Sequence, residues 1–266
     1  PRKGVLRKPE TPRAEMSEED AKFVDSIDYR AFVGLCLHVY VFTRPEIGYA
    51  INQLASHSND PRREHVEAAK QLGRYLADNM ELGIRYDGGT EDMVKVYCDA
   101  DFADCVDTRR SISGFVIMMY GGAVSWSCRK QPSVALSTME AEAVALRISF
   151  CEVIGLKWDM EVFDPVLGDM AWRLFEDNQS LIAVVCNIDG GKYEARKHIA
   201  VRVMWLREVV ATKVVEVEYV DTAEQTADVL TKALPVKEFE KHRNAMLNMA
   251  AVDEEVVVKS VTFEDE

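Results

Sequence analysis

The chain has 266 residues, 48% hydrophobic and 29% charged, which is typical of a folded protein with room for one large or two modest domains. Its formal net charge of −13 argues against a general nucleic-acid binder, because such proteins are usually basic. The longest apolar run, residues 31–42, is too short to span a bilayer. The given sequence does not start with a basic segment followed by an apolar one, so a secretory signal is not expected.

The first 90 residues have the pattern of a charged leader followed by helices. Prolines and a high charge density predict a mobile leader over residues 1–27 that ends in a short helix. Apolar residues then recur at helical spacing, most clearly in the segment that begins at Arg63, so we expect a small helical module over residues 28–90. Within it, the segment GIRYDGG predicts a strand closed by a glycine turn.

Residues 91–236 have the pattern of a mixed sheet flanked by helices. The segment MVKVYCD alternates apolar and polar residues, and SGFVIMMY and AVSWS, joined by Gly121 and Gly122, predict a hairpin. The elements predicted after it are a helix from Thr138 to about Trp158, the strand WRLFE, a helix after Asp177, a helix over residues 198–209, the strand VVEVEYV and a helix over residues 223–234. A strand meander followed by strand–helix alternation predicts an α/β fold. Residues 237–266 are expected to form a C-terminal helix and a loose acidic tail.

Four acidic residues stand at predicted strand ends or helix starts, where carboxylates from separate elements can converge on divalent cations. They are Asp99 in VYCDADFAD, Glu142 in STMEAEAVAL, Asp177 in LFEDNQS and Asp228 in EQTADVLTKAL. Asp99 and Asp177 each end a predicted strand, so both are expected at the carboxyl edge of the sheet, a usual location of active sites. Each residue alone also has an ordinary interpretation as a turn former, a helix cap or a solvated charge. Their joint order and contexts favour a metal site.

Two glutamates open the helix predicted from Thr138, and their spacing separates their roles. Ser137 and Glu140 fit a capping box, in which Glu140 reaches back to the amide of Ser137. Glu140 and Glu142 are about 200° apart around a helix, so they cannot point into one site. Glu140 shares its side with Arg147, which predicts exposure to solvent. Glu142 shares its side with Leu146, which predicts a core-facing carboxylate whose unfavourable burial a metal ion would offset.

Six motifs follow one another between Val94 and Leu234: the DADxA turn, TRRSISGFV, WSCRKQPSVALSTMEAE, EDNQS, RKHI and ADVLTKAL. Together they make this stretch resemble the ribonuclease H domain of copia-type LTR retrotransposon polyproteins. The resemblance implies a ribonuclease H-like mixed five-stranded sheet flanked by helices. The segment from DYRAFVGL to GRYL looks like the thumb- or connection-like region between the family's reverse transcriptase and its nuclease. The polymerase motif YxDD does not occur, so the chain is not expected to polymerise DNA.

By this resemblance the chain is a metal-dependent endonuclease that hydrolyses the RNA strand of RNA–DNA hybrids during reverse transcription. The positions of the metal ligands, which are also the catalytic residues, would be Asp99, Glu142, Asp177 and Asp228. The implied cofactor is a pair of Mg²⁺ (or Mn²⁺) ions. Substrate contacts are expected from Asn178, Gln179, Arg129, Lys130, Lys197 and His198. The implied partners are the hybrid and the reverse transcriptase portion of the same polyprotein, in a cytoplasmic retrotransposon particle and with no membrane involved.

An alternative is a catalytically inactive ribonuclease H-like binding or assembly module from a decayed or truncated element. The sequence departs from the family pattern where Ala143 replaces a usual Tyr, where Asp104 replaces a Gly, and where KHIAVRVM replaces KHIDIRYH. None of these departures removes a predicted metal ligand, but with the acidic net charge they leave the alternative open. A dinucleotide or phosphate-transferring enzyme is disfavoured, because neither GxGxxG nor GxxxxGK occurs.

Overall fold

The computed structural model describes residues 6–9, 13–87, 94–105, 107–186 and 197–249, and five strands in these ranges form one sheet. In chain order the strands are β1 (Val94–Asp101), β2 (Ile112–Met119), β3 (Gly122–Lys130), β4 (Trp172–Glu176) and β5 (Val215–Tyr219). Their order across the sheet is β3-β2-β1-β4-β5. The β1–β2 and β2–β3 pairs are antiparallel, and the β1–β4 and β4–β5 pairs are parallel. The predicted mixed five-stranded α/β fold is confirmed.

The helices that accompany this sheet lie before, between and after the strands. They are α1 (Glu18–Val24), α2 (Tyr29–Phe42), α3 (Gly48–Ala55), α4 (Arg63–Asp78), α5 (Thr138–Phe163), α6 (Pro165–Asp169), α7 (Gln179–Val185), α8 (Lys197–Ala211), α9 (Asp228–Thr231) and α10 (Val236–Leu247). Short 3-10 helices occupy Arg13–Glu15, Pro45–Ile47 and Thr222–Glu224. In the described part of the chain, no helix is both long enough and apolar enough to cross a membrane.

The main core lies between the sheet and α5. The alternation predicted in MVKVYCD is confirmed, because Val96 and Cys98 point into this core and are fully buried. From α5, Leu146 and Phe150 pack in the same cluster and are also fully buried. Glu142 stands one helical turn before Leu146, so this packing also directs the first turn of α5 toward the sheet.

A second core is formed by α1 to α4, and this helical module covers the edge strand β3. The Tyr40 hydroxyl accepts a hydrogen bond from the Cys128 N–H (2.9 Å), and the Trp126 Nε1–H donates to the Tyr40 carbonyl (2.9 Å). The Asn52 side chain adds a bond to the Cys128 carbonyl (3.1 Å). The two bonds to the Cys128 backbone satisfy part of an edge that would otherwise expose unpaired backbone groups. The predicted boundary between the two modules falls within residues 88–93, outside the described residues, and stays a prediction.

Two local predictions, one before β1 and one between β3 and β4, were wrong. Residues 82–87 form no strand; the Arg85 N–H donates to the Leu247 carbonyl (3.0 Å), which ties this segment to the end of α10. The long helix α5 does not end near Trp158 but continues to Phe163. Its end is set by Pro165, because the residue before a proline is disfavoured in helical geometry.

Candidate metal centre

Parallel pairing of β1 and β4 brings Asp99 and Asp177 to the same edge of the sheet. The register aligns Tyr97 with Phe175, and each aspartate stands two residues beyond this pair. Asp99 is buried, and Asp177 is half-buried and accepts a hydrogen bond from the Thr222 hydroxyl (2.8 Å). The strand β1 continues for two residues beyond Asp99, so the prediction that the strand ends there was wrong. Asp99 and Asp177 nevertheless lie at the same edge of the sheet, as predicted.

Helix α5 contributes Glu142 from its first turns. The helix start is held by Ser137, whose hydroxyl accepts from the Glu140 N–H (3.2 Å), and by Gln131, whose Nε2–H donates to the Ala141 carbonyl (2.9 Å). Glu142 is 4% exposed, and its Oε2 has no hydrogen-bond partner within the described residues. A buried carboxylate oxygen without a partner is strongly unfavourable unless a cation or a proton compensates it. The side chain therefore has the property expected of a metal ligand.

Glu140 does not face solvent, contrary to the prediction from its helical side. It is buried, and its carboxylate accepts from the Leu136 N–H (2.9 Å). Its other oxygen pairs with Arg202 of α8 (3.4 Å). Because α8 covers this side of α5, the exposure depends on a helix distant in the sequence. The local pattern could not contain that information.

Asp99, Glu142 and Asp177 form one group of carboxylates, which we call the acidic cluster. One oxygen from each lies within 4.8 Å of the other two. Oxygens bound to one cation at about 2.1 to 2.5 Å lie at most about 5 Å apart, so the cluster has the spacing of a shared ligand set. An all-oxygen set suits hard cations such as Mg²⁺ or Mn²⁺ better than zinc.

Asp228 approaches the acidic cluster from the short helix α9. The helix predicted over residues 223–234 was wrong, since a 3-10 turn and the four-residue α9 replace it. Gly114 of β2 makes the close approach possible, because a Cβ there would lie 2.7 Å from the Thr231 side chain. Gln225 is fully buried and donates to a carbonyl of β1 (2.9 Å), which holds the chain before α9 against the sheet. Asp228 thus lies at the start of α9 and is buried.

Lys232 stands between Asp228 and Asp99. Its Nζ is 2.8 Å from Asp228 Oδ1 and 3.9 Å from Asp99 Oδ2, and the Thr231 hydroxyl donates to the same Asp99 oxygen. Asp228 is not part of the group whose oxygens lie within 4.8 Å of one another in the described residues. Sequence reasoning missed Lys232. The signal that could have found it is the spacing of four between Asp228 and Lys232 in ADVLTKAL, which brings opposite charges together on a helix.

A fifth carboxylate, Glu176, lies next to the acidic cluster and was also missed. It ends β4, is fully buried, and accepts from the Asn178 N–H (3.0 Å) and the Cys98 thiol (3.4 Å). Its signal in the sequence is the alternation in WRLFE, which places Glu176 on the same inward side as Trp172 and Leu174. A glutamate at an inward position of a buried strand calls for a compensating partner.

Burial and mutual repulsion raise the pKa values of four of the carboxyls at this site, Asp99, Glu142, Glu176 and Asp228. Burial raises the pKa of Glu142 well above its usual range, and neighbouring carboxylates add to the effect. Burial also raises the pKa of Asp228 to about 7 and that of Glu176 to about 8. The pKa of Asp99 rises by burial, although Lys232 opposes the shift. Carboxyls that resist ionisation in this way gain a compensating charge when a divalent cation binds, and they release protons.

Without divalent metal, we expect stability to decrease as the pH rises from about 4.5 to about 8. A carboxyl with a raised folded-state pKa keeps its proton where the unfolded chain has lost it, so each fully shifted group lowers stability by up to about 1.4 kcal/mol per pH unit. Glu176→Gln cannot ionise and should flatten this decline. Thermal denaturation in EDTA across this pH range measures the decrease of stability with pH for both proteins.

The matched control for this pH dependence is Glu216→Gln, the same change at an exposed position of β5. It should leave the slope of stability against pH as in the unmodified protein. Equal slopes for the unmodified protein and Glu176→Gln would contradict the role assigned to Glu176.

Two predicted substrate contacts lie on the edge strand β3. Arg129 is exposed, and Lys130 is half-buried with its Nζ 3.4 Å from the Ser56 hydroxyl. Arg129 aligns with Ser113, which in turn aligns with Ala100, the neighbour of Asp99 in β1. The Arg129 backbone on β3 therefore lies two strand spacings, about 10 Å, from the Ala100 backbone on β1. The basic pair and the acidic cluster share one end of the sheet.

The remaining predicted contacts follow β4 and precede α8. Asn178 is the N-cap of α7, and its Oδ1 accepts from the Leu181 N–H (3.0 Å). The capping role considered for Asp177 therefore belongs to Asn178, while Gln179 is exposed. The side chains of Lys197 and His198 lie outside the described part of the structure, so their predicted contacts remain predictions.

Sequence comparisons identify relatives among transposon proteins. No family model matches the chain. The chain is 36% identical to the retrovirus-related Pol polyprotein from transposon TNT 1-94 of Nicotiana tabacum, over 80% of this chain and 16% of the relative. It is 32% identical to the corresponding polyprotein from transposon RE1 of Arabidopsis thaliana, over 80% of this chain and 14% of the relative. The chain thus spans only a small part of the length of these polyproteins.

The chain is also similar to a shorter protein and to a solved structure. Secreted RxLR effector protein 161 of Plasmopara viticola is 37% identical over 49% of this chain and 92% of that protein. The structure of LC11-RNase H1, isolated from compost, covers 56% of this chain and 97% of its own chain, with 15% identity and a TM-score of 0.40.

Proposed function

Because this chain belongs to the family of retrovirus-related Pol polyproteins from transposons, we propose that it is the ribonuclease H of such a polyprotein. In this proposal it is a metal-dependent endonuclease that hydrolyses the RNA strand of RNA–DNA hybrids. The observation that carries the proposal is the acidic cluster, three carboxylates from separate elements at one edge of the sheet, with a buried Glu142 oxygen that no described residue satisfies. These are the properties of a site that binds a divalent cation.

The ligands proposed for Mg²⁺ or Mn²⁺ are Asp99, Glu142 and Asp177, with Asp228 as the fourth position of a two-ion site. When bound, such ions stabilise charge on the phosphodiester oxygens and lower the pKa of a bound water. Thr222 and Thr231 orient two of the ligands, because their hydroxyls donate to Asp177 and Asp99. Hydrogen bonds of this kind fix the orientation of a ligand carboxylate. Their removal typically lowers metal affinity or activity by about 10- to 100-fold.

Arg129 and Lys130 are proposed to contact phosphates of the hybrid, since they lie at the same end of the sheet as the acidic cluster. Gln179 and the amide nitrogen of Asn178 are proposed to read 2′-hydroxyl groups, which distinguish RNA from DNA. The net charge of −13 opposes binding of a polyanion, so bound cations would also be needed to neutralise the site. The other proposed partner is the reverse transcriptase portion of a Pol polyprotein, within a cytoplasmic retrotransposon particle.

Cleavage of an end-labelled RNA–DNA hybrid tests the proposal. With Mg²⁺ or Mn²⁺ the chain should cut the RNA strand internally, leaving a 3′-hydroxyl and a 5′-phosphate, and EDTA should abolish the reaction. The same RNA as a single strand, and a DNA duplex of the same sequence, should remain intact. An absence of cleavage, with protein in excess and in a preparation that binds Mn²⁺, would favour the inactive binding module instead.

A further inference from the structure

The candidate metal centre has two sides that differ in charge. On one side lies the acidic cluster, where the buried Oε2 of Glu142 has no partner in the described residues. On the other side, the Lys232 ammonium lies 2.8 Å from Asp228 Oδ1 and 3.9 Å from Asp99 Oδ2; the contact with Asp228 is an ion pair whose geometry is not that of a hydrogen bond. On the first side no described residue donates to Glu142 Oε2, whereas on the second side Lys232 supplies a positive charge to the carboxylates.

We infer that Lys232 is a positioning residue that occupies the cation position between Asp99 and Asp228 and must leave it before a second divalent ion can bind there. The inference rests on the proposed function, because it concerns the order in which that site is filled. Among the described residues no basic side chain forms an ion pair with Glu142 or Asp177, so on their side of the acidic cluster a first ion has no ammonium or guanidinium to displace. The Asp228 side accepts a second ion only when the lysine moves away.

Electrostatic repulsion enforces this exclusion. A divalent ion bound to Asp228 would lie within a few ångströms of an ammonium held at 2.8 Å from the same carboxylate. At such separations two positive charges repel strongly for any effective dielectric constant found inside proteins. Lys232 and a second ion therefore compete for Asp228, and the affinity for that ion includes the free energy of displacing the lysine.

The structure also permits Lys232 to leave. Its side chain is 32% exposed, whereas those of Asp99 and Asp228 are almost fully buried. Lys232 is the C-cap of α9, so no further helical turn packs over its side chain from that helix. A four-carbon stem allows the ammonium to reach solvent while the backbone stays in place.

Calorimetric titration with Mn²⁺ alone tests the inference without relying on catalysis. The unmodified protein should bind one ion tightly and a second weakly. Lys232→Met should tighten the second binding event by about tenfold or more, because a nearby positive charge is removed, and should change the first event much less. Lys232→Gln, a second neutral variant, should behave in the same way. Lys232→Arg retains a cation and should retain the weak second event.

The matched control is Lys241→Met, which changes the net charge equally and also breaks a lysine–carboxylate pair, with Glu224 at 2.5 Å. It should leave both Mn²⁺ binding events as in the unmodified protein. An equal tightening in Lys241→Met would assign the effect to net charge and overturn the inference.

One further variant, Glu142→Gln, separates this inference from the proposed function. Glu142→Gln should weaken the first event, and a protein that binds no Mn²⁺ would contradict the proposed function itself. If the first ion binds but Lys232→Met leaves the second event unchanged, only the inference on Lys232 fails.

Thermal denaturation adds a check on structure: Lys232→Met should lower Tm in EDTA, yet its Tm should rise more on addition of Mn²⁺ than that of the unmodified protein. A loss of Tm of the same size in both conditions would mean a purely structural role and would overturn the inference.

Discussion

Asp99→Asn should lower the rate of Mg²⁺-dependent cleavage of an RNA–DNA hybrid by about a thousandfold or more, the loss expected when a main electrostatic element of an active site is removed. Asp99 is the shared residue of the site: its carboxylate belongs to the acidic cluster and also faces Lys232 at 3.9 Å. Asparagine keeps the size of the side chain and can still accept the bond from Thr231, but it loses the charge that a divalent cation requires. Single-turnover cleavage rates measure the effect.

The control for this variant is Asp101→Asn, the same isosteric change two residues later on β1 and outside the acidic cluster. It should cleave the hybrid at nearly the unmodified rate. Asp99→Asn should remain folded in EDTA, because burial raises the pKa of Asp99 and removal of its charge relieves an unfavourable ionisation. Cleavage by Asp99→Asn at a rate close to that of Asp101→Asn would contradict the assignment of the site.

Trp172→Ala should lower the free energy of unfolding by about 3 to 5 kcal/mol, a large share of the stability of a typical domain. Trp172 is fully buried on β4, where it packs in the main core with Phe150 and Leu174. Its Nε1–H donates to the Leu167 carbonyl (2.9 Å), so the substitution also leaves a buried acceptor without a partner. Because β4 positions Asp177, the loss should also reduce Mn²⁺ binding. Urea denaturation gives the change in the free energy of unfolding.

Trp158→Ala provides the matched control, since Trp158 lies on α5 and is 67% exposed. The same change of side chain there should alter the free energy of unfolding by no more than about 0.5 kcal/mol. Similar losses for the two variants would mean that the core does not lie between α5 and the sheet as described.

Much of the sheet could be predicted from the sequence, because strand signals are local. The alternation around Val96 and Cys98 predicted β1, and the pair Gly121–Gly122 predicted the turn between β2 and β3. The same reasoning placed Asp99 and Asp177 after buried strand segments. When the two strands pair in parallel, such residues meet at one edge without further information.

The candidate site could be predicted only in part, because two of its features depend on elements distant in the sequence, whereas the third, Glu176, is marked only by the local alternation of its strand. Glu140 was expected in solvent and is buried, since α8 supplies Arg202 to it. Glu176 was missed although the alternation of β4 points it inward. Lys232 was missed because its effect depends on where α9 places it relative to Asp99.

The sequence by itself determined the five strands of the sheet and placed acidic residues close to the ends of β1 and β4, because side-chain periodicity and turn residues act over a few positions. Only the tertiary structure decided which charges face one another. The approach of α9 over Gly114 and the burial of Gln225 bring Asp228 and Lys232 to the edge where Asp99 lies, across more than a hundred residues of chain. Electrostatic interactions depend on distances in space, and these distances exist only once the helices have packed on the sheet.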